Sequence, residues 1–97
     1  MKKLLTKKQL NAFLKKHQDW SLNKKGTELC RTLTFDKYVD GLILIARMVV
    51  HAELLQHHPD IVFKRKTLRI TLSTHDSKGI TKLDTDLATR VDKITAN

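Results

Sequence analysis

The spacing of apolar residues changes several times along the chain, and each change marks an element. Leu10, Phe13 and Leu14 share one helical face behind Thr6, which forms a capping-box pattern with Gln9, so a helix is predicted over about 7–17. Trp20 and Leu22, and then residues 27–35, alternate, with Leu29, Leu33 and Phe35 to one side and Cys30, Thr32 and Thr34 to the other. That period predicts two strands joined by a turn around 23–26. Residues 36–55 form the longest apolar-rich stretch, a second helix with Thr34 or Asp36 as its expected N-cap. Residues 61–64 and 67–74 read as a hairpin, the second strand setting Leu68, Ile70 and Leu72 against Arg69, Thr71 and Ser73. Thr81 and Asp84 repeat the capping-box pattern before Leu87, Ala88, Val91 and Ile94 at helical spacing. The order is αββαββα. Paired strands separated by helices predict an α+β fold, an antiparallel four-stranded sheet with helices packed on one face, formed by residues 1–97 as a single domain.

The central helix carries more apolar surface than one sheet face can cover. Its polar stripe is Lys37, Asp40, Arg47 and His51, interrupted by Leu44. Val39, Leu42, Ile43, Ile45, Ala46, Met48, Val49, Val50 and Ala52 occupy most of the remaining circumference. Leaving several of Leu42, Ile43, Ile45, Val49 and Val50 in water would cost about 1.5–3 kcal/mol each relative to burial. A homo-oligomer, dimer or tetramer, is therefore expected, with part of this helix or an exposed strand edge at the interface.

Composition narrows the classes. Ninety-seven residues with 40% hydrophobic and 30% charged side chains support one modest core. The single cysteine, Cys30, excludes a disulfide framework, and the longest apolar run, 42–46, is far short of a membrane span. No apolar segment follows the N-terminal lysines, so the chain does not read as carrying a signal peptide, and a cytoplasmic protein is expected. The net charge of +9 is uneven: residues 1–25 carry +7 and residues 64–69 carry +4. Neither basic cluster is interleaved with aromatics for base stacking, so nucleic acid is not expected as a partner.

Four of the five histidines, His51, His57, His58 and His75, lie between positions 51 and 75. His17 and His51 read as solvated side chains. His57 and His58 directly precede Pro59, which disfavours helix at His58 and turns the chain out into a strand. His75 closes the last strand, so it converges with the pair if the two elements are neighbours. Glu53 falls among Leu42, Ala46 and Val49 rather than on the polar stripe, and a carboxylate there needs a partner. Metal ligation is not expected, because adjacent histidines bind one ion poorly and no Cys pair or HExxH spacing exists. Nucleophilic motifs and glycine-rich phosphate loops are absent from the sequence.

The run Glu53-Leu-Leu-Gln56-His57-His58-Pro59, followed by Ser73-Thr74-His75-Asp76 and then Asp84, resembles the signature of the pterin-4a-carbinolamine dehydratases. His75 lies sixteen positions after Pro59 and Asp84 nine after His75, as in that family. Trp20, Phe35 and Gly79 suit its early strand tryptophan, its phenylalanine before the long helix and its Thr-His-x-x-x-Gly turn. One element departs: Arg65 stands six residues after Pro59 where the family has an aromatic, with Phe63 the nearest candidate. The resemblance implies dehydration of a 4a-hydroxy-tetrahydropterin to the quinonoid dihydropterin, in tetrahydropterin recycling, without metal or other cofactor. It implies His57, His58 and His75 as acid–base groups, and Glu53, Gln56, Pro59, Ser73, Thr74, Asp76 and Asp84 as residues that hold the pterin or orient the histidines. Imidazole, with an ordinary pKa of about 6.5, suits both giving and taking a proton near neutrality. The alternative is a non-catalytic relative that acts as a dimerisation or binding module for a protein or nucleic-acid partner.

Overall fold

In the computed structural model, which describes residues 2–96, the elements follow the predicted order. They are α1 (Lys7–Lys16), β1 (Ser21–Leu22), β2 (Leu29–Thr34), α2 (Tyr38–Leu55), β3 (Asp60–Phe63), β4 (Thr67–Leu72) and α3 (Lys82–Thr95). The four strands form one antiparallel sheet in the order β1-β2-β4-β3. Its register sets Leu29 opposite Leu72, Arg31 opposite Ile70 and Leu33 opposite Leu68, so these six side chains share one face. Leu29, Leu68, Ile70 and Leu72 are buried in the same core as Met48 and Ala52 of α2 and Leu87, Ala88 and Val91 of α3. The alternation read from the sequence is thus the pleat of this sheet, with one apolar face under the helices.

Arg31 is the exception on that inner face. Its guanidinium reaches Asp92 of α3 at 2.5 Å, and the same carboxylate accepts from the Trp20 indole at 2.8 Å and from His17 Nδ1 at 2.7 Å. An inward arginine survives because one carboxylate of the covering helix gathers it together with two other donors. His17 is therefore not the solvated side chain expected; it is half-buried and stacked on Phe13. His51, also read as solvated, is half-buried and accepts from Arg90 at 3.1 Å.

Some details differ from the expectation. The N-cap of α2 is Lys37, which makes no side-chain capping bond, so neither Thr34 nor Asp36 caps it. Strand β4 stops at Leu72; Ser73 and Thr74 leave the sheet, and His75–Ser77 form a short 3-10 turn rather than the strand's last residues. Leu44 does not interrupt a solvated stripe but packs against the core, as does Ile45. The inner face of α2 is Gly41, Met48 and Ala52, flanked by Leu44, Ile45 and Leu55. Leu42, Ile43, Val49, Val50 and Leu54 remain exposed on the opposite side.

Gly41 is where α2 comes closest to the aromatic residues at its N-terminal end. A Cβ there would lie 2.3 Å from a Phe35 ring carbon and 2.5 Å from one of Phe63. Phe63 is fixed in turn by Tyr38, stacked on it with centroids 4.8 Å apart. Alanine would normally improve a helix interior by about 1 kcal/mol over glycine. Here the overlap should dominate, and Gly41→Ala is expected to destabilise the fold by about 1–3 kcal/mol in urea unfolding. Unchanged or raised stability would show that the rings yield freely.

Candidate active site

Helix α2 ends in a Schellman motif that separates the two adjacent histidines. Gln56 takes the left-handed conformation, with φ 49°; its N–H bonds to the Glu53 carbonyl at 3.2 Å and the His57 N–H to the Ala52 carbonyl at 3.0 Å. The Gln56 amide adds a 2.8 Å bond to the Glu53 carbonyl. This reversal, followed at once by Pro59, sends neighbouring side chains in different directions. His57 is 9% exposed and turned into the molecule, whereas the His58 ring is 59% exposed.

The inward ring meets Asp84. The Nε2–H of His57 donates to Asp84 Oδ1 at 2.5 Å, and Asp84 is completely buried. The other carboxylate oxygen, Oδ2, accepts from the Thr74 hydroxyl at 2.8 Å and from the Thr81 N–H at 2.9 Å. Since Thr74 spends its proton on Asp84, it must accept from the Thr81 hydroxyl, 2.7 Å away. Asp84 is at once the capping-box residue of α3 and the partner of His57. Three donors satisfy a carboxylate that burial alone would make very unfavourable.

The other two histidines stand at the surface with acidic neighbours. His58 Nε2 bonds to Glu53 across the turn, both groups about 60% exposed. His75, with its side chain 78% exposed, lies 3.9 Å from Asp60 at the start of β3. Gln56, His57 and His58 from the end of α2 face Ser73, Thr74, His75 and Asp76 from the β4–α3 connection across an open cleft of about 490 Å³. Seven of the ten residues singled out in the sequence line that cleft.

The remaining three do not. Glu53 bonds to His58 from outside the cleft, Pro59 shapes the chain, and Asp84 lies beneath the floor and meets the cleft through His57 and Thr74. Lys2 and Leu83 complete the lining, and sequence reasoning missed both, as it missed Asp60. Leu83 could have been found as the residue after the α3 cap; nothing local marks Lys2. Neither Phe63 nor Arg65 enters the cleft; they flank a separate hollow with Tyr38 and Lys64. Among the described residues no three His, Cys, Asp or Glu side chains converge as a metal-binding group.

The antiparallel α+β sheet and the connections at its helix ends thus bring three histidines, each beside a carboxylate, to one open cleft. Residues 3–94 match the family model for pterin 4 alpha carbinolamine dehydratase, and the chain belongs to that family. A Mycobacteroides abscessus protein named "Putative pterin-4-alpha-carbinolamine dehydratase" is 42% identical over 89 residues, covering 92% of this chain and 93% of its own. One of the same name from Sulfurisphaera tokodaii is 34% identical over 92 residues, covering 95% and 97%. The crystal structure of a transcriptional coactivator/pterin dehydratase from Brucella melitensis superimposes with a TM-score of 0.92 at 26% identity, over 97% of this chain and all of that one. A pterin dehydratase-like protein described as a RuBisCO assembly factor in the alpha-carboxysome shares the fold, with a TM-score of 0.70 at 22% identity over 84% and 94%.

The buried pair and the exposed pair should respond differently to loss of the carboxylate. Asp84→Ala strips three buried donors of their acceptor and removes a cap, and is expected to cost about 3–5 kcal/mol in urea unfolding. Glu53→Gln, at a solvated pair, should cost less than about 1 kcal/mol. Equal effects of the two substitutions would contradict the burial assigned to Asp84.

Proposed function

We propose that the protein removes water from a 4a-hydroxy-tetrahydropterin to give the quinonoid dihydropterin, by acid–base catalysis from the histidine cleft. The observation that carries the reading is the meeting of residues 56–58 with residues 73–76 across one cleft, in a chain of this family. As the C4a–O bond breaks, the hydroxyl takes a proton and departs as water. The lone pair of a ring nitrogen forms the new C=N bond, and the proton of a ring N–H is taken by a base. An imidazole can serve at either end. His57 offers Nδ1, since Asp84 occupies Nε2. The exposed rings of His58 and His75 stand on the solvent side, where a departing water has a path out. Ser73, Asp76 and Gln56 supply hydrogen-bonding groups for the edge of a pterin, with Pro59 fixing the turn and Thr74, bonded to Asp84 and Thr81, holding the wall behind them. No metal or other cofactor enters this scheme, and its setting is a cytoplasmic one, in tetrahydropterin recycling.

The homo-oligomer, dimer or tetramer, belongs to the same reading. Leu42, Ile43, Val49, Val50 and Leu54 form an exposed apolar face on α2, with Ile61 and Val62 exposed on edge strand β3. Patches of this kind mark interfaces more often than free surface. Ile45 packs on its own core, so the surface to test is Leu42 and Val49. The same face gives the second reading its support: a non-catalytic module could use it to bind a different protein.

Two measurements separate these. His75 is the histidine to change first, because His57→Ala would also leave the buried Asp84 without its partner. His75→Ala should cut the rate of 4a-hydroxy-tetrahydropterin dehydration by about tenfold or more with unfolding unaltered. An active enzyme indifferent to that change would remove His75 from catalysis, and a wild type without dehydratase activity would favour the binding module. Sedimentation at micromolar concentration should give a multiple of the 11.2 kDa chain mass, lowered by Val49→Glu. A clean wild-type monomer would contradict the assembly.

A further inference from the structure

The segment before α1 is built into the cleft rather than draped over it. The Ser77 hydroxyl, largely buried, donates to the Lys2 carbonyl at 2.5 Å, the Leu5 N–H bonds to the Ile80 carbonyl at 2.9 Å, and Leu4 bridges to Thr81. Gly79 leaves room for this arm, since a Cβ there would lie 2.9 Å from the Leu4 side chain. The Ser77 bond and the β-bridge, of which the Leu5–Ile80 bond is part, therefore bring Lys2 to the cleft lined by His57, His58 and His75.

Charge is distributed unevenly around that cleft. Each of the three histidines already has a carboxylate neighbour in Asp84, Glu53 or Asp60. Lys2 has no carboxylate within 4.0 Å among the described residues, whereas Lys82 is paired with Asp86 at 3.3 Å. Past residues 73–75 the surface continues into a second hollow of about 350 Å³, bordered by Lys25 and Lys78, which also lack an ion pair among the described residues. The opposing carboxylates are Asp76 in the cleft and Glu28 in the hollow, and Glu28 already accepts from Asn23 at 3.2 Å. A neutral pterin ring offers an ammonium group no charge to bind. A substituent on that ring could.

We propose that Lys2 is a specificity-determining residue that selects pterins whose side chain ends in an anionic group, a phosphate ester or a carboxylate. The ring lies against the histidines, an inference that rests on the dehydratase reading, and the tail ends at the Lys2 ammonium. Lys25 and Lys78 add to the positive potential at the rim without contacting the tail.

Equilibrium binding to the intact protein tests this with three stable dihydropterins: 7,8-dihydrobiopterin with an uncharged side chain, 7,8-dihydroneopterin phosphate, and 7,8-dihydrofolate with its carboxylates. At low salt at least one anionic ligand should bind about fivefold to tenfold tighter than the uncharged one, and the advantage should shrink at about 0.5 M NaCl. In Lys2→Met the ratio of anionic to uncharged affinity should fall to about one, whereas in a Lys25→Met, Lys78→Met double variant most of it should persist. Preference for the phosphate alone, or for the carboxylates alone, supports the proposal and identifies the tail. Equal affinity for all three, or a preference that survives Lys2→Met, overturns it and leaves the dehydratase reading standing. Failure to bind any of the three removes the pterin reading and this inference together.

Discussion

A fully buried carboxylate with three donors ties the cleft to the fold. Asp84 closes the first turn of α3, accepts from the Thr74 hydroxyl on the way out of β4, and holds the His57 ring at the end of α2. The His57 Nε2–H and the Thr81 N–H would lose their acceptor without it, and the buried carboxylate would be costly without these donors. The position of α3 therefore orients the imidazole. The arrangement also divides the histidines by freedom: one is fixed through a buried bond, and two are solvated beside exposed carboxylates that restrain them weakly.

The second constraint is helix α2, which has to serve two surfaces. Its inner side offers Gly41, Met48 and Ala52, residues that let the helix lie close to the sheet and to the rings of Phe35 and Phe63. Its outer side stays apolar although it faces solvent here. Glu53 lies on that outer side, in the last turn, and its bond to His58 links the exposed face to the cleft. Any partner that covers this face of α2 would sit next to Glu53, and so beside the His58 edge of the cleft.

Much of this was legible in the sequence, because the signals were local and periodic. The capping boxes at Thr6 and Thr81, the alternation of Leu68, Ile70 and Leu72, and the break at Pro59 each follow from neighbouring residues. The convergence of 56–58 with 73–76 came from the family pattern, since no local rule brings a helix end to a strand end. What escaped was set by distant partners. His17 reads as an ordinary surface group until Asp92, more than sixty residues on, gathers it together with Arg31 and Trp20. Lys2 reaches the cleft only because Ser77 and Ile80 dock the arm. Leu44 and Ile45 exchanged significance with their neighbours on the wheel because the sheet, not the helix, decides which stripe is inward. The depth of Asp84 was not legible either; the pattern marked it as a site residue without showing that it works from below the floor.

The direct test of this account is the protonation of one ring. Long-range proton–nitrogen NMR on uniformly nitrogen-15-labelled protein, at a pH high enough for neutral imidazoles, reports which nitrogen of His57 holds the hydrogen. A ring held by Asp84 should be a single Nε2–H tautomer with a hydrogen protected from exchange, and the Asp84→Asn variant should lose that protection. Signals averaged between the two tautomers, or a ring protonated on Nδ1, would contradict the claim that the buried carboxylate sets the orientation of His57.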